Sequence, residues 1–201
     1  MRREVFLARL REALDAAPPL AGAHPPGPPP AAVPRVAWPA DPRSLEERFA
    51  AALDGVRARL VAADELPAAL RALEVRTAVV TTDLVALPDE IERLPADRAR
   101  AADAGVTAAR AACATTGTLV LESSPEQPRL ASLLPRVHVA AVPRAALVET
   151  AGDVLRALGD APLPSALTLA TGPSRSADID GEVVYGVHGP LAVLVVLVDA
   201  Q

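Results

Sequence analysis

Short, continuous apolar segments constrain the fold of this chain more than any other feature of its sequence. The longest of them is residues 191–198, which is less than half of the roughly 20 residues that a membrane-spanning helix needs. An apolar run of this length is typical of a strand that is buried on both faces of a sheet. Further strands are predicted at residues 76–81, 118–121, 137–142, 166–170 and 183–185.

Helices are predicted between these strands from apolar spacing and capping residues. Ser44 and Glu47 form a capping box, which predicts a helix from residue 45 to about residue 60. Pro67 suits the first turn of a second helix that ends near Leu73. Further helices are predicted at residues 3–17, 86–93 and 145–158, and in the alanine-rich run that ends near residues 115–117. Apolar strands that alternate with helices place the chain in the α/β class, with a sheet covered on both faces.

The composition along the chain predicts three parts. Residues 1–17 are predicted as an N-terminal helix, residues 18–43 as a proline-rich linker, and residues 44–201 as an α/β domain. Proline is unfavourable inside helices and central strands because it lacks an N–H and has a fixed φ. We therefore expect the linker to be extended.

Composition also excludes several classes of function. All 20 basic residues are arginine, so Schiff-base chemistry and the lysine of a Walker-type phosphate loop are excluded. A net charge of −5 and 2% aromatic residues argue against a nucleic-acid partner. The single cysteine, Cys113, cannot hold an iron–sulfur cluster or a structural zinc alone, and the scattered histidines have no metal-ligand spacing. We expect a cytoplasmic protein with no metal site and no membrane span.

Three loops carry the residues best suited to bind a ligand, because ligands of open α/β sheets bind beyond the carboxyl ends of the strands. In the first loop, Thr116, Gly117 and Thr118 combine small hydroxyl residues with a glycine, so that backbone N–H groups can approach an anion or a carbonyl. The same residues also fit a helix C-cap that is followed by a strand. Both interpretations stay open for this loop.

The second loop follows a predicted strand and spans residues 171–178. Its candidate binding residues are Gly172, Ser174, Arg175 and Ser176. Open backbone N–H groups and a guanidinium together form a plausible site for a phosphate or a carboxylate. Asp178 is a candidate catalytic residue that orients Arg175 or accepts a hydrogen bond from a hydroxyl group of the ligand. The alternative is an ordinary turn in which a serine caps a helix.

The third loop, residues 186–190, places a histidine on a tight turn. His188 is a candidate general acid or base, because histidine titrates near neutral pH, and the neighbouring Gly189 is a candidate binding residue. The alternative is a structural hydrogen bond that ties the turn. His138, in contrast, lies inside a predicted buried strand and is interpreted as a core histidine.

Four short motifs follow one another along the chain. They are Gly117-Thr118-Leu119; Ser132-Leu133-Leu134-Pro135 with Val137-His138-Val139; Gly172-Pro173-Ser174-Arg175-Ser176-Ala177-Asp178-Ile179; and Gly186-Val187-His188-Gly189-Pro190. In this order they resemble the LutC family, the lactate-utilisation protein C group of LUD-domain proteins, over about residues 44–199. The resemblance implies a three-layer α/β fold with a largely parallel central sheet flanked by helices. This is the fold of the ribose-phosphate isomerase, CoA-transferase and formyltetrahydrofolate cyclo-ligase group.

The resemblance also implies a role in the oxidation of L-lactate to pyruvate, alongside partner subunits that carry iron–sulfur clusters. This chain is then the subunit without redox metal, which binds no cofactor itself. It either binds a small anionic metabolite, a carboxylate or a phosphate, or holds the partner subunits together. Two alternatives stay open. One is a stand-alone enzyme that acts on a phosphorylated or thioester metabolite, and the other is a sensor of a small acid.

Two positions depart from the pattern of the family. Where family members usually have an Asp and a Glu, this chain has Arg110 and Thr115. A carboxylate there would be the expected general base or nucleophile of a CoA-transferase-like site, and a threonine does not replace it at neutral pH. Either another acid such as Glu122 or Glu182 takes that role, or the chain binds its ligand without catalysis.

Overall fold

The computed structural model of the chain describes residues 3–16, 41–158, 164–177 and 183–199. The chain forms two units, Met1–Asp41 and Pro42–Gln201. The first unit contributes helix α1 (Arg3–Ala16). Most of the predicted linker, residues 18–40 of 18–43, lies outside the described residues, and so do Ala17, Asp178 and Glu182.

The predicted capping box begins helix α2 (Leu45–Gly55) and is confirmed. The Ser44 hydroxyl accepts a hydrogen bond from the Glu47 N–H at 3.2 Å, and the Glu47 carboxylate accepts one from the Ser44 N–H at 2.8 Å. The helix ends earlier than predicted, because Arg57 adopts a positive φ of 62° and the chain then enters the sheet. Helix α3 (Leu66–Ala72) has its proline in the first turn, as predicted.

The described part of the chain contains twelve strands. In chain order they are β1 (Arg59–Leu60), β2 (Thr77–Val80), β3 (Glu92–Leu94), β4 (Ala104–Ala108), β5 (Ala111–Cys113), β6 (Thr118–Ser123), β7 (Val137–Pro143), β8 (Leu147–Val148), β9 (Ala166–Thr171), β10 (Arg175–Ala177), β11 (Val183–Tyr185) and β12 (Ala192–Val198). Six of them form a parallel sheet in the order β1-β12-β7-β4-β2-β3. The predicted α/β class with a largely parallel central sheet is confirmed.

The remaining strands form two smaller sheets. Strands β8, β5, β6 and β9 lie side by side in a mixed four-stranded sheet, and β10 pairs with β11 in an antiparallel ribbon. Two further helices complete the described part of the second unit, α4 (Leu130–Leu133) and α5 (Ala151–Leu158). The sequence did not predict that a second sheet would form.

Apolar side chains cover both faces of the parallel sheet. On one face, Leu70 of α3 belongs to the same buried cluster as Val139 of β7. On the other face, Leu53 of α2 and Leu119 of β6 share a buried cluster with Val195 of β12. The second sheet therefore forms part of one outer layer, and a space between two sheets arises where a helix was expected.

Three helix predictions are wrong in whole or in part. The alanine-rich run after residue 107 forms the last residue of β4, a bend and β5, because β5 pairs with β6 on one side and with β8 on the other. This tertiary pairing overrides the weak intrinsic preference of alanine for helices. Residues 86–93 form a turn that leads into β3. The helix predicted at residues 145–158 begins only at Ala151, after the 3₁₀ turn Arg144–Ala146 and β8.

Candidate functional site

The three predicted loops converge at the carboxyl-terminal end of α2. Gly117 and Gly172 both have a positive φ, 65° and 73°, which glycine adopts without steric cost. A Cβ atom on Gly172 would lie 2.4 Å from the Val56 carbonyl oxygen, and one on Gly117 would lie 3.0 Å from the backbone nitrogen of Leu53. The absence of side chains at these two glycines therefore allows both loops to pack against the helix end. We refer to residues 115–118, 171–176 and 186–190 as the three-loop cluster.

Backbone hydrogen bonds join the second loop to the third. The Ser174 N–H donates to the Pro190 carbonyl oxygen at 2.8 Å, and the Gly186 N–H donates to the Ser174 carbonyl oxygen at 3.0 Å. Gly189 approaches the same serine, since a Cβ on Gly189 would lie 3.1 Å from the Ser174 Cβ. The structure thus brings these loops together. The Ser174 N–H, which the sequence suggested as a donor to an anion, donates to Pro190 instead.

A chain of hydroxyl groups joins the first loop to the second. The Thr116 Oγ1 lies 2.7 Å from the Thr118 Oγ1, which lies 2.8 Å from the Thr171 Oγ1. This chain follows from strand register, because Thr118 of β6 stands opposite Thr171 of β9. The first loop is the turn of the β5–β6 hairpin, so its interpretation as a helix C-cap is wrong.

Two guanidinium groups lie at the same helix end. The Arg175 Nη2 donates to the Val56 carbonyl oxygen at 3.3 Å, and the guanidinium of Arg57 lies 5.0 Å from the centre of the Tyr185 ring. Tyr185 is also the cross-strand partner of Arg175 in the β10–β11 ribbon. Among the described residues, neither arginine forms an ion pair with a carboxylate. Two cations without acidic partners suit an anionic ligand.

The sequence did not identify Arg57 and Tyr185 as site residues. Arg57 was placed inside a longer helix, and Tyr185 was treated only as part of a strand. Nothing in the sequence around Arg57 indicates its positive φ. A positive φ is uncommon for any residue other than glycine, so an arginine gives no reason to predict one. The alternative that serines of the second loop cap a helix is also wrong, because Arg175 and Ser176 belong to strand β10.

The predicted position of the loops relative to the sheet needs a correction. The third loop precedes β12, and the Leu191 N–H that follows it donates to the Arg136 carbonyl oxygen just before β7. It therefore lies at the amino ends of the parallel strands. The other two loops belong to β5, β6 and β9 of the second sheet, whose antiparallel pairings fall outside the rule for open parallel sheets.

The two histidines of the candidate region lie in opposite environments. His188 is exposed, and it forms no hydrogen bond with any of the described residues. His138 is buried in β7, and its Nε2 lies 2.9 Å from the Thr107 Oγ1 on neighbouring β4. Burial lowers the pKa of His138 from 6.5 to about 4, so its ring is neutral at pH 7. The interpretation of His138 as a core histidine is confirmed.

A cavity of about 50 Å³ lies between the parallel sheet and the second sheet. Its lining is mostly apolar and includes His138, and two of its lining residues, Gly172 and Pro190, also belong to the three-loop cluster. The complete lining is Leu119, Leu121, Ser132, Leu133, His138, Thr168, Ala170, Gly172, Pro190 and Val193. A smaller cavity of about 10 Å³ shares Leu121, Ser132 and Thr168 with it and also contacts Glu122 and Arg129. We refer to the larger one as the inter-sheet cavity.

A second, larger space lies at the carboxyl ends of β2 and β3. This open cleft has a volume of about 490 Å³ and is lined by Val80, Thr81, Thr82, Asp83, Val85, Ala86, Arg93 and Leu94. The loop after β2 packs on one face of the sheet, and the loop after the neighbouring strand β4 packs on the other face. Open α/β sheets bind ligands where the loops after two adjacent strands diverge in this way. The sequence missed this cleft because residues 86–93 were predicted as helical.

Both residues that depart from the family pattern contact side chains or backbone groups nearby, Arg110 through an ion pair and Thr115 through hydrogen bonds. Arg110 forms an ion pair with Glu122, so Glu122 is not a free carboxylate. The Thr115 hydroxyl donates to the Glu149 carbonyl oxygen at 2.7 Å, and Arg48 lies beside both residues at 3.3 and 3.1 Å. The carboxylate nearest to position 115 is thus held by Arg48, a side chain that is only 13% exposed.

Neither a metal site nor a membrane helix is present in the described ranges. Residues 3–16, 41–158, 164–177 and 183–199 contain no group of three His, Cys, Asp or Glu side chains able to hold a metal ion. None of their helices combines the length and apolar character needed to cross a bilayer. Cys113 is buried, and this burial raises the pKa of its thiol.

Sequence and structure comparisons agree on one family. A family model described as the LUD domain matches residues 51–198. Proteins named "Lactate utilization protein C" from Shouchella clausii and Bacillus subtilis are each 39% identical to this chain over 107 residues, which is 51% of this chain and 47% and 45% of theirs. The chain thus spans about half the length of the curated relatives it matches.

One solved structure is similar over most of the chain. The crystal structure of a DUF162 family protein from Deinococcus radiodurans matches with a TM-score of 0.57 and 25% identity, over 78% of this chain and 99% of that one. The resemblance inferred from the four motifs is therefore confirmed. Because the family model covers well over half of its residues, this chain belongs to the LUD domain family.

Proposed function

We propose that this chain acts in lactate utilisation as a non-redox subunit that binds a small carboxylate at the three-loop cluster. The observation that carries the proposal is that two guanidinium groups, those of Arg175 and Arg57, both lie at the end of α2 without acidic partners among the described residues. The names of the relatives supply the pathway. The site supplies a chemistry that suits lactate and pyruvate, since both are small monocarboxylates.

The roles of the remaining cluster residues follow from this proposal. Thr116, Thr118 and Thr171 offer hydroxyl groups to the cluster, while Gly172 and Gly189 let its loops pack closely against Val56 and Ser174. His188 is exposed in the third loop and is the candidate proton donor. Asp178 is the candidate catalytic residue of the second loop, with the role of orienting Arg175 or accepting a hydrogen bond from a ligand hydroxyl.

Loss of the second-loop guanidinium tests the site directly. We expect Arg175→Ala to weaken binding of L-lactate and pyruvate by roughly 10- to 100-fold in isothermal titration calorimetry, because a hydrogen bond to a charged group contributes about 1.5–3 kcal/mol. Arg98→Ala is the matched control, since Arg98 is an exposed arginine in a 3₁₀ turn outside the cluster. Equal affinities of Arg175→Ala and wild type would show that the site is wrongly assigned.

The proposal requires partner subunits that carry the iron–sulfur clusters, because this chain has too few cysteines to bind one. Cys113 is the single cysteine and is buried, whereas an iron–sulfur cluster needs four ligands, usually cysteine thiolates. Purification of the tagged chain from cells grown on lactate is expected to recover partners with iron–sulfur absorption and lactate-dependent dye reduction. Recovery of the chain alone and colourless, with lactate binding intact, would favour the sensor alternative instead.

A second function has its own structural support. The cleft at the carboxyl ends of β2 and β3, at about 490 Å³, has the volume of a typical metabolite site, and it presents Arg93 and Asp83. A stand-alone enzyme acting on a phosphorylated or thioester metabolite would use this cleft. It predicts that the purified chain binds a pentose phosphate and that Arg93→Ala abolishes this binding, while Arg175→Ala leaves it unchanged.

A further inference from the structure

We propose that the inter-sheet cavity receives the uncharged end of a short 2-hydroxy or 2-oxo acid and that His138 hydrogen-bonds to the oxygen on C2. The inference rests on the proposed carboxylate binding at the three-loop cluster and extends it to the rest of the ligand. It adds a binding residue from the centre of the domain to a site otherwise built from loops.

The position of the cavity supports a ligand that spans loop and core. Gly172 and Pro190 line the cavity, and both belong to the loops that surround the guanidinium groups. Gly172 packs against the Val56 carbonyl oxygen, which is the acceptor of the Arg175 hydrogen bond. A carboxylate bound beside Arg175 therefore has the inter-sheet cavity within reach of its opposite end.

The volume of the cavity limits what it can hold. At about 50 Å³, and with about 10–15 Å³ of such space needed to hold one water-sized group, it has room for roughly three to five non-hydrogen atoms. The hydroxyethyl group of lactate and the acetyl group of pyruvate are of this size. A sugar phosphate is too large for this space, whereas the open cleft at β2 and β3, at about 490 Å³, has room for one.

The lining of the cavity matches a methyl group beside one polar atom. Leu119, Leu133 and Val193 supply apolar surface. The His138 Nε2 faces Thr107, and its Nδ1 forms no hydrogen bond with any residue of the described ranges. No fully buried side-chain nitrogen or oxygen of the described residues lacks a hydrogen-bond partner, so the unpartnered Nδ1 atom is not fully enclosed, and in a ring that lines the cavity it offers a position for a ligand oxygen. A neutral ring can donate to or accept from that oxygen without burying a second charge.

The test compares two acids that differ only in the C2 hydroxyl. Wild-type protein is expected to bind L-lactate about tenfold more tightly than propionate in isothermal titration calorimetry, and His138→Leu is expected to reduce this ratio to near one while keeping its affinity for propionate. His138→Gln, whose amide can still form a hydrogen bond, is expected to restore part of the preference. A wild-type ratio near one, or an unchanged ratio in His138→Leu, would overturn the inference and leave the proposed carboxylate site intact.

Failure of the proposed function gives a different result, since wild-type protein would then bind neither acid. If His138→Leu does not fold, nitrogen-15 NMR of the histidines in wild-type protein tests the inference without a variant. We expect L-lactate to shift the resonance of the His138 Nδ1 and propionate to leave it in place. No difference between the two acids would overturn the inference.

Discussion

The Thr107 Oγ1 lies 2.9 Å from the His138 Nε2, in a buried contact between neighbouring parallel strands. The register places Gly105 of β4 opposite His138. A Cβ on Gly105 would lie 1.7 Å from the Ala131 carbonyl oxygen, so this glycine lets α4 approach the sheet beside the imidazole. A ring that sequence analysis assigned to the core therefore connects the core to the candidate site.

Burial of a neutral imidazole makes stability depend on pH. The pKa of His138 is lowered from 6.5 to about 4, so between these values the unfolded state binds the proton and the folded state does not. We expect a loss of roughly 3 kcal/mol of unfolding free energy as the pH falls from about 6.5 to about 4. The measurement is urea unfolding of wild type and His138→Gln across this range. A difference between the two proteins that does not change with pH would contradict the expectation.

A carboxylate at the amino ends of the central strands stabilises the sheet. The Asp103 Oδ2 accepts hydrogen bonds from the Arg76 and Thr77 N–H groups and from the Thr77 hydroxyl at 3.0–3.1 Å. We expect Asp103→Asn to lower the free energy of unfolding by about 1–3 kcal/mol, because hydrogen bonds to charged groups are lost. Asp64→Asn, at an exposed turn position, is the control and is expected to change stability by less than about 0.5 kcal/mol.

The same carboxylate has a pH dependence of its own. Partial burial alone would raise the pKa of Asp103, but the hydrogen bonds from Arg76 and Thr77 outweigh it and lower the pKa below 3.8. The stabilisation by Asp103 is therefore present above pH 3.8 and is lost as the pH falls through the lower, folded-state value. Equal stability of wild type and Asp103→Asn at pH 7 would contradict this assignment.

Gly172 is expected to be intolerant of any side chain. Its φ of +73° and the 2.4 Å approach of a Cβ to the Val56 carbonyl oxygen predict that Gly172→Ala destabilises the protein by more than about 1 kcal/mol. Gly55→Ala is the matched control, because a Cβ there meets no atom within 4 Å. That variant is expected to be neutral or more stable by up to about 1 kcal/mol. Thermal unfolding that ranks the two variants equally would count against the packing described.

The capping box of α2 provides a prediction about the helix that supports the three-loop cluster. Ser44→Ala removes the hydroxyl that accepts from the Glu47 N–H and is expected to cost about 1 kcal/mol of unfolding free energy. Glu65→Ala is the control, because Glu65 holds the N-cap position of α3 without a side-chain capping bond. Urea unfolding measures both variants. A smaller cost for Ser44→Ala than for Glu65→Ala is the result that would refute this account.

Local patterns were sufficient for two of the central strands, β7 and β12, and for the start of α2. Residues 191–198 are apolar throughout and residues 137–142 are apolar except for His138, and such runs are typical of strands with both faces covered. The capping box specifies where α2 begins, because Ser44 and Glu47 satisfy each other's backbone groups within one turn. The candidate loops could also be recognised, since their glycine, serine and threonine motifs are local features of the chain.

Tertiary structure alone decided what these segments assemble into. Residues 111–113 have the composition of a helix but form a strand, because pairing with β6 and β8 compensates for the low intrinsic strand preference of alanine. The same pairing creates the space between two sheets that His138 and Gly172 line. Composition, charge and motif order are properties of neighbouring residues, so the sequence determined the family and the α/β class. Arg57 and Arg175 lie together at the end of α2, and His138 lines one cavity with Gly172 and Pro190. These residues are far apart in the chain, and only packing of the whole domain brings them together.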